Sequence, residues 1–159
     1  MPVVFARNNS LRSLAIRYWT KEAHGDGELY SHVGVIFRGF VLESKGASTC
    51  QATRWEDFIS RYTKYEVRYL PVLNENKALA FYNTHVLANT PHDGRRAIGF
   101  ILDKLGLAEV ITFNNQNHLD CAEFVAAGAG WIPFTNKVTP NYLRLFTVGK
   151  QPTALPSQN

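Results

Sequence analysis

Two strand-forming runs separated by only two residues constrain this chain more than any other feature. His32-Val-Gly-Val-Ile-Phe37 and Phe40-Val-Leu-Glu-Ser44 flank Arg38-Gly39, a spacing that suits a tight antiparallel hairpin. Closing the hairpin there sets its register: Phe37 pairs with Phe40, Ile36 with Val41 and Gly34 with Glu43. Side chains alternate along a strand, so His32, Gly34, Ile36, Val41 and Glu43 share one face. Glu43 then lies diagonally beside His32, at roughly 5 to 8 Å between backbones, within reach of its side chain. Gly34, between them, has no side chain to block the contact. A carboxylate so placed can hold an imidazole's orientation and tautomer, the task of the third member of a catalytic triad.

Signals for other elements surround the hairpin. Leu14-Ala-Ile-Arg-Tyr-Trp19 is rich in strand formers and precedes a turn-prone stretch with Gly25-Asp26-Gly27, which predicts a first strand. Thr53 followed by Glu56 has capping-box spacing, and Trp55, Phe58, Ile59 and Tyr62 recur at helical intervals. Tyr65, Val67 and Tyr69 alternate with polar residues before Pro71, as in a half-buried strand. Residues 75 to 88 read as a helix through Leu79, Tyr82 and Val86, and Asp93 is placed to cap another that carries Ile98, Ile101, Leu102 and Leu105. Beyond Val110-Ile-Thr-Phe113 and a polar stretch, Cys121-Ala-Glu-Phe-Val-Ala-Ala127 is a run of good helix formers stopped by Gly128 and Gly130. Thr139-Pro140 reads as an N-cap and N1 pair opening a last short turn. The mixture predicts one α+β domain over residues 1–150 and a disordered polar tail over 151–159.

Composition excludes several classes. No stretch approaches the ~20 apolar residues of a bilayer span, and no apolar core follows the basic residues near the start, so neither a membrane span nor a secretory signal is expected and the cytoplasm is the expected compartment. The net charge of +4 is mild. The longest basic run is Arg95-Arg96, so no obligatory nucleic-acid partner is expected. Cys50 and Cys121 are the two cysteines, which a cytoplasmic chain keeps reduced, and neither belongs to a set of ligands at metal spacing.

The two thiols have different surroundings. Cys121 opens a helix, where the positive end of the dipole and unpaired N–H groups favour thiolate and lower its pKa from ~8.5. The same N–H groups are candidate oxyanion donors. Ala122, Ala126 and Gly128 are small enough to let this helix approach a sheet. His118, three residues before Cys121, and Asn117 and Asp120 are candidates for substrate or oxyanion contacts; a solvated loop histidine and local helix caps are the alternatives. Cys50, in Ser48-Thr-Cys-Gln-Ala52, reads as structural. His24, His85 and His92 carry no spacing signal, and Trp55, Phe58 and Tyr62 read as core rather than as a base-stacking platform.

Taken in chain order, Tyr30-Ser-His-Val-Gly-Val-Ile36, Val41-Leu-Glu-Ser44, Asp120-Cys-Ala-Glu-Phe-Val125 and Val138-Thr-Pro-Asn-Tyr-Leu143 resemble the successive motifs of circularly permuted NlpC-type papain-like cysteine peptidases, the YiiX/YaeF-type members above all. The resemblance covers roughly residues 14 to 146, with no counterpart of the Tyr-Asp motif many relatives carry before the cysteine. It implies a papain-like antiparallel sheet packed against the helix that bears the cysteine, with Cys121 as nucleophile, His32 as base and Glu43 as orienter. No metal or organic cofactor is implied. The implied substrate is a peptide or isopeptide amide, cleaved through a thiol acyl-enzyme. A thioester or lipid acyl substrate on the same triad is one alternative, and an inactive module binding nucleic acid or protein is another. The motif order also occurs in short phage-encoded proteins, which implies a bacterial or phage origin.

Overall fold

Pro2-Val-Val-Phe-Ala-Arg7 is a strand with no alternation to betray it. In the computed structural model, which describes residues 1–19, 28–45, 48–92, 119–131 and 138–150, it is β1 (Pro2–Arg7). The strands that follow are β2 (His32–Phe37), β3 (Phe40–Ser44), β4 (Cys50–Arg54), β5 (Lys64–Tyr69) and β6 (Val148–Lys150). The helices are α1 (Leu11–Trp19), α2 (Trp55–Ile59), α3 (Glu75–Leu87), α4 (Cys121–Gly128) and α5 (Pro140–Leu145). All the strand pairings are antiparallel, in the order β4-β3-β2-β1-β5-β6, so the architecture is α+β. Val3, Val4, Phe5 and Ala6 are wholly buried because β1 is central and covered on both faces. Such a strand reads as a continuous apolar run rather than an alternating one.

The strand expected at residues 14 to 19 is instead α1. Ser10 Oγ accepts the Ser13 N–H, and Asn8 Oδ1 in turn accepts from the Ser10 N–H and hydroxyl. This local cap starts a helix that the β-branched and aromatic residues disfavour only weakly. A second expectation also fails. Thr53 does not cap α2; it lies in the edge strand β4, and Arg54 stands at the N-cap without a side-chain bond. The helix forms all the same, burying Trp55 and Phe58.

The hairpin has the predicted register: Phe37 pairs with Phe40, Ile36 with Val41 and Val35 with Leu42. Arg38 and Gly39 have φ of 48° and 77°, the left-handed pair that matches the twist of a two-residue hairpin. Gly34 is required by crowding, since a Cβ there would lie 2.5 Å from Val41 Cγ1 and 3.1 Å from the Leu42 carbonyl oxygen. The predicted elements at 64–69, 75–87, 121–128 and 140–145 are also present. In β5, however, the buried side chain is Glu66 rather than Tyr65, which is exposed. The helix opened by Asp93, the run Val110–Phe113, Asn117, His118 and the tail after residue 150 lie outside the described residues.

The sheet divides two apolar clusters. On one side Val3, Phe5, Val33, Val35 and Leu42 meet Ala78 and Tyr82 of α3 and Phe124, Val125 and Ala126 of α4. On the other, Val4, Ala6 and Val41 meet Trp55 and Phe58 of α2. A polar knot ties down the C-terminal part: Glu66 accepts from Arg144 Nε at 2.8 Å and Arg68 Nη1 at 3.0 Å, and Asn141 Oδ1 accepts the Tyr30 N–H at 2.8 Å. That last bond fixes the chain two residues before His32. Among the described residues, no helix is long and apolar enough to cross a membrane.

Candidate functional site

His32 opens β2 and Glu43 is the penultimate residue of β3, so the hairpin alone brings them together. His32 Nε2 lies 2.7 Å from Glu43 Oε2, the distance of a charge-assisted hydrogen bond. Glu43 is wholly buried and His32 nearly so. The other carboxylate oxygen, Oε1, accepts from Thr53 Oγ1 at 2.6 Å, Arg61 Nη2 at 2.6 Å and Gln51 Nε2 at 3.4 Å. Burial alone would raise the Glu43 carboxyl, but hydrogen bonds from His32, Arg61 and Thr53, with the charge of His32, hold it down to about 2.

The imidazole is confined as well as bonded. The Tyr62 ring stacks on it at 5.7 Å between centroids and 10° between planes, and Phe58 packs at 6.0 Å. Burial works against the charged form of His32. The pull of Tyr62 and Cys121, each negative when ionised, and hydrogen bonding with the Cys121 and Glu43 side chains outweigh it, holding the pKa well above the ordinary histidine range. Burial pushes the Tyr62 hydroxyl up.

Helix α4 reaches this end of the sheet through Ser44, the last residue of β3. Its hydroxyl donates to the Leu119 carbonyl at 2.5 Å and accepts from His92 Nδ1 at 2.9 Å. Two residues on, Cys121 is the first residue of the helix. Asp120 is the N-cap: Oδ1 accepts the N–H groups of Ala122 and Glu123 at 2.7 and 2.8 Å, and Glu123 closes the box by accepting the Asp120 N–H. A carboxylate committed to two backbone donors is an acceptor, so Asp120 does not supply an oxyanion donor. It also occupies two of the N–H groups expected to serve that purpose.

Cys50 lies in β4, opposite Ser44. It is wholly buried, and burial pushes its thiol up to about 11, which suits a structural residue. Among the described residues, no three His, Cys, Asp or Glu side chains converge on a point that would hold a metal ion.

Thr53, Gln51, Arg61 and Tyr62 complete the site, and none was assigned to it from sequence. The signal for two of them is β4 itself. In its register Gln51 lies opposite Glu43 and Thr53 opposite Val41, which puts both beside the carboxylate once β4 is recognised. Arg61 and Tyr62 have no such local mark, because α2 carries them back over β2 and β3. Compared with family models and with curated proteins, the chain matches none.

Proposed function

We propose that this chain is a cysteine hydrolase of the papain-like, circularly permuted NlpC type that cleaves a peptide or isopeptide amide. The observation that carries the reading is the buried 2.7 Å bond between His32 Nε2 and Glu43 Oε2, with Cys121, first residue of a capped helix, close enough to help raise the imidazole's pKa. A structural cysteine needs neither an imidazole beside it nor a carboxylate behind that imidazole.

Glu43 engages Nε2, so Nδ1 is the nitrogen that exchanges protons with the thiol. His32 takes the proton from Cys121, and the sulfur attacks the amide carbonyl carbon, forming a C–S bond and an oxyanion. The N–H of Cys121, the first-turn donor that Asp120 does not use, is the group we assign to that oxyanion. Collapse breaks the C–N bond as His32 protonates the departing amine. Water, deprotonated by His32, then attacks the thioester, releasing the acid and restoring the thiol.

The reading is tested by alkylating the wild type, Cys121→Ser and His32→Ala with iodoacetamide across pH and locating the label by peptide mapping. Cys121 is expected to label in a His32-dependent manner. Label on Cys50 alone, or on Cys121 at a rate indifferent to His32→Ala, overturns the enzyme. A salt-dependent gel shift on nucleic acid that neither substitution affects would then favour a binding module.

A further inference from the structure

Arg61 and Tyr62, which follow α2, meet the two members of the His32–Glu43 pair separately. Arg61 Nη2 bonds Glu43 Oε1, the oxygen the imidazole leaves free. Its guanidinium also lies over the Phe58 ring at 5.4 Å and the Tyr62 ring at 5.7 Å, while Tyr62 stacks on the imidazole. The four side chains form one packed chain from guanidinium to imidazole.

The charges set a chemical problem. A buried carboxylate bonded to imidazole alone stabilises imidazolium strongly, yet a catalytic histidine must both accept and release a proton. A second cation on the same carboxylate weakens its hold. The titratable and charged groups on the pair come from three parts of the chain: Glu43 from β3, Arg61 and Tyr62 from the segment after α2, and Cys121 from α4; Gln51 and Thr53 of β4 are neutral. Arg61 is therefore the one cation of the described residues on this carboxylate besides His32 itself.

We propose that Arg61 is a positioning residue: it fixes the Glu43 carboxylate from behind and shares its charge, so that His32 can return its proton to the leaving group. This rests on the cysteine hydrolase reading and deepens it.

The test is an NMR titration of the His32 ring in the full chain, its signal identified by its loss in His32→Ala, compared among the wild type, Arg61→Met and Arg61→Lys. Removing the cation is expected to move the His32 midpoint upward by about one pH unit, while Arg61→Lys, which keeps the charge, stays near the wild type. Arg61→Gln, which keeps a donor without the charge, replaces Arg61→Met if that variant does not fold, and is expected to shift the same way. A midpoint unmoved in the uncharged variant, or moved as far in Arg61→Lys, overturns the proposal and leaves Arg61 a structural residue. The hydrolase reading fails separately, through Cys121 alkylation indifferent to His32→Ala, an outcome the titration of His32 does not depend on.

Discussion

Glu43→Gln keeps the shape of the side chain and removes its charge, and its consequence is calculable. A carboxyl held at about 2 instead of the usual 4.5 is worth roughly 3 kcal/mol of native-state stability at neutral pH. The folded pKa lies below the unfolded one, so this contribution is complete above the unfolded value and is lost as pH falls toward the folded one. About 2 kcal/mol of it is gone by pH 3. His32 behaves in the opposite sense: its folded pKa is raised, so its contribution is complete below the ordinary histidine value and is lost as pH rises through the folded one. Stability should therefore peak between the two limbs. Urea unfolding of the wild type and Glu43→Gln at pH 7 and pH 3 isolates the carboxylate, because the other acidic groups cancel in the difference. The variant is expected to be less stable by roughly 3 kcal/mol at pH 7, the low end of the range seen when one partner of a buried ion pair is removed, and by about 1 kcal/mol at pH 3. A loss at pH 7 below about 1 kcal/mol, or a difference between the two proteins that does not shrink at pH 3, would refute the reasoning.

Two other substitutions separate structure from chemistry. Gly34→Ala puts a methyl group 2.5 Å from Val41 Cγ1 and should cost about 1–3 kcal/mol; thermal unfolding measures it, and a melting temperature equal to the wild type's would show that the hairpin yields more easily than its packing implies. Asp120→Ala removes both N-cap bonds of α4 and should cost about 1 kcal/mol, with Asp120→Asn recovering most of it in the same urea assay; equal losses in the two variants would show that the charge rather than the cap is what matters.

What was legible in the sequence had local encoding. The Arg38-Gly39 turn and the alternation around it specify a register, and that register alone predicts the His32–Glu43 contact. A run of helix formers stopped by Gly128 did the same for α4, and the Thr139–Pro140 cap for α5. Where two local signals compete, the reading failed: Ile16, Tyr18 and Trp19 suggest a strand, but the Asn8–Ser10–Ser13 bonds nucleate α1. Thr53 has the spacing of a cap, yet its hydroxyl serves Glu43 across the sheet. β1 escaped notice because burial on both faces erases periodicity, and β4 because an edge strand of mostly polar residues has little apolar pattern. Arg61 and Tyr62 were beyond reach for a different reason. Their partners lie in other elements, and only the path of the chain through α2 brings them together.

The central place of β1 has a kinetic meaning. The hairpin bearing His32 and Glu43 is built from neighbouring residues, whereas β1 must pair with β2 and with β5, which come much later in the chain. Short loops close fastest, so the hairpin is expected to form early and its attachment to β1 late. α4 packs on the sheet that β1 completes, so Cys121 and His32 come together only near the end of folding. On the proposed hydrolase reading, the newly made chain therefore carries no assembled Cys121–His32 pair until folding is nearly complete.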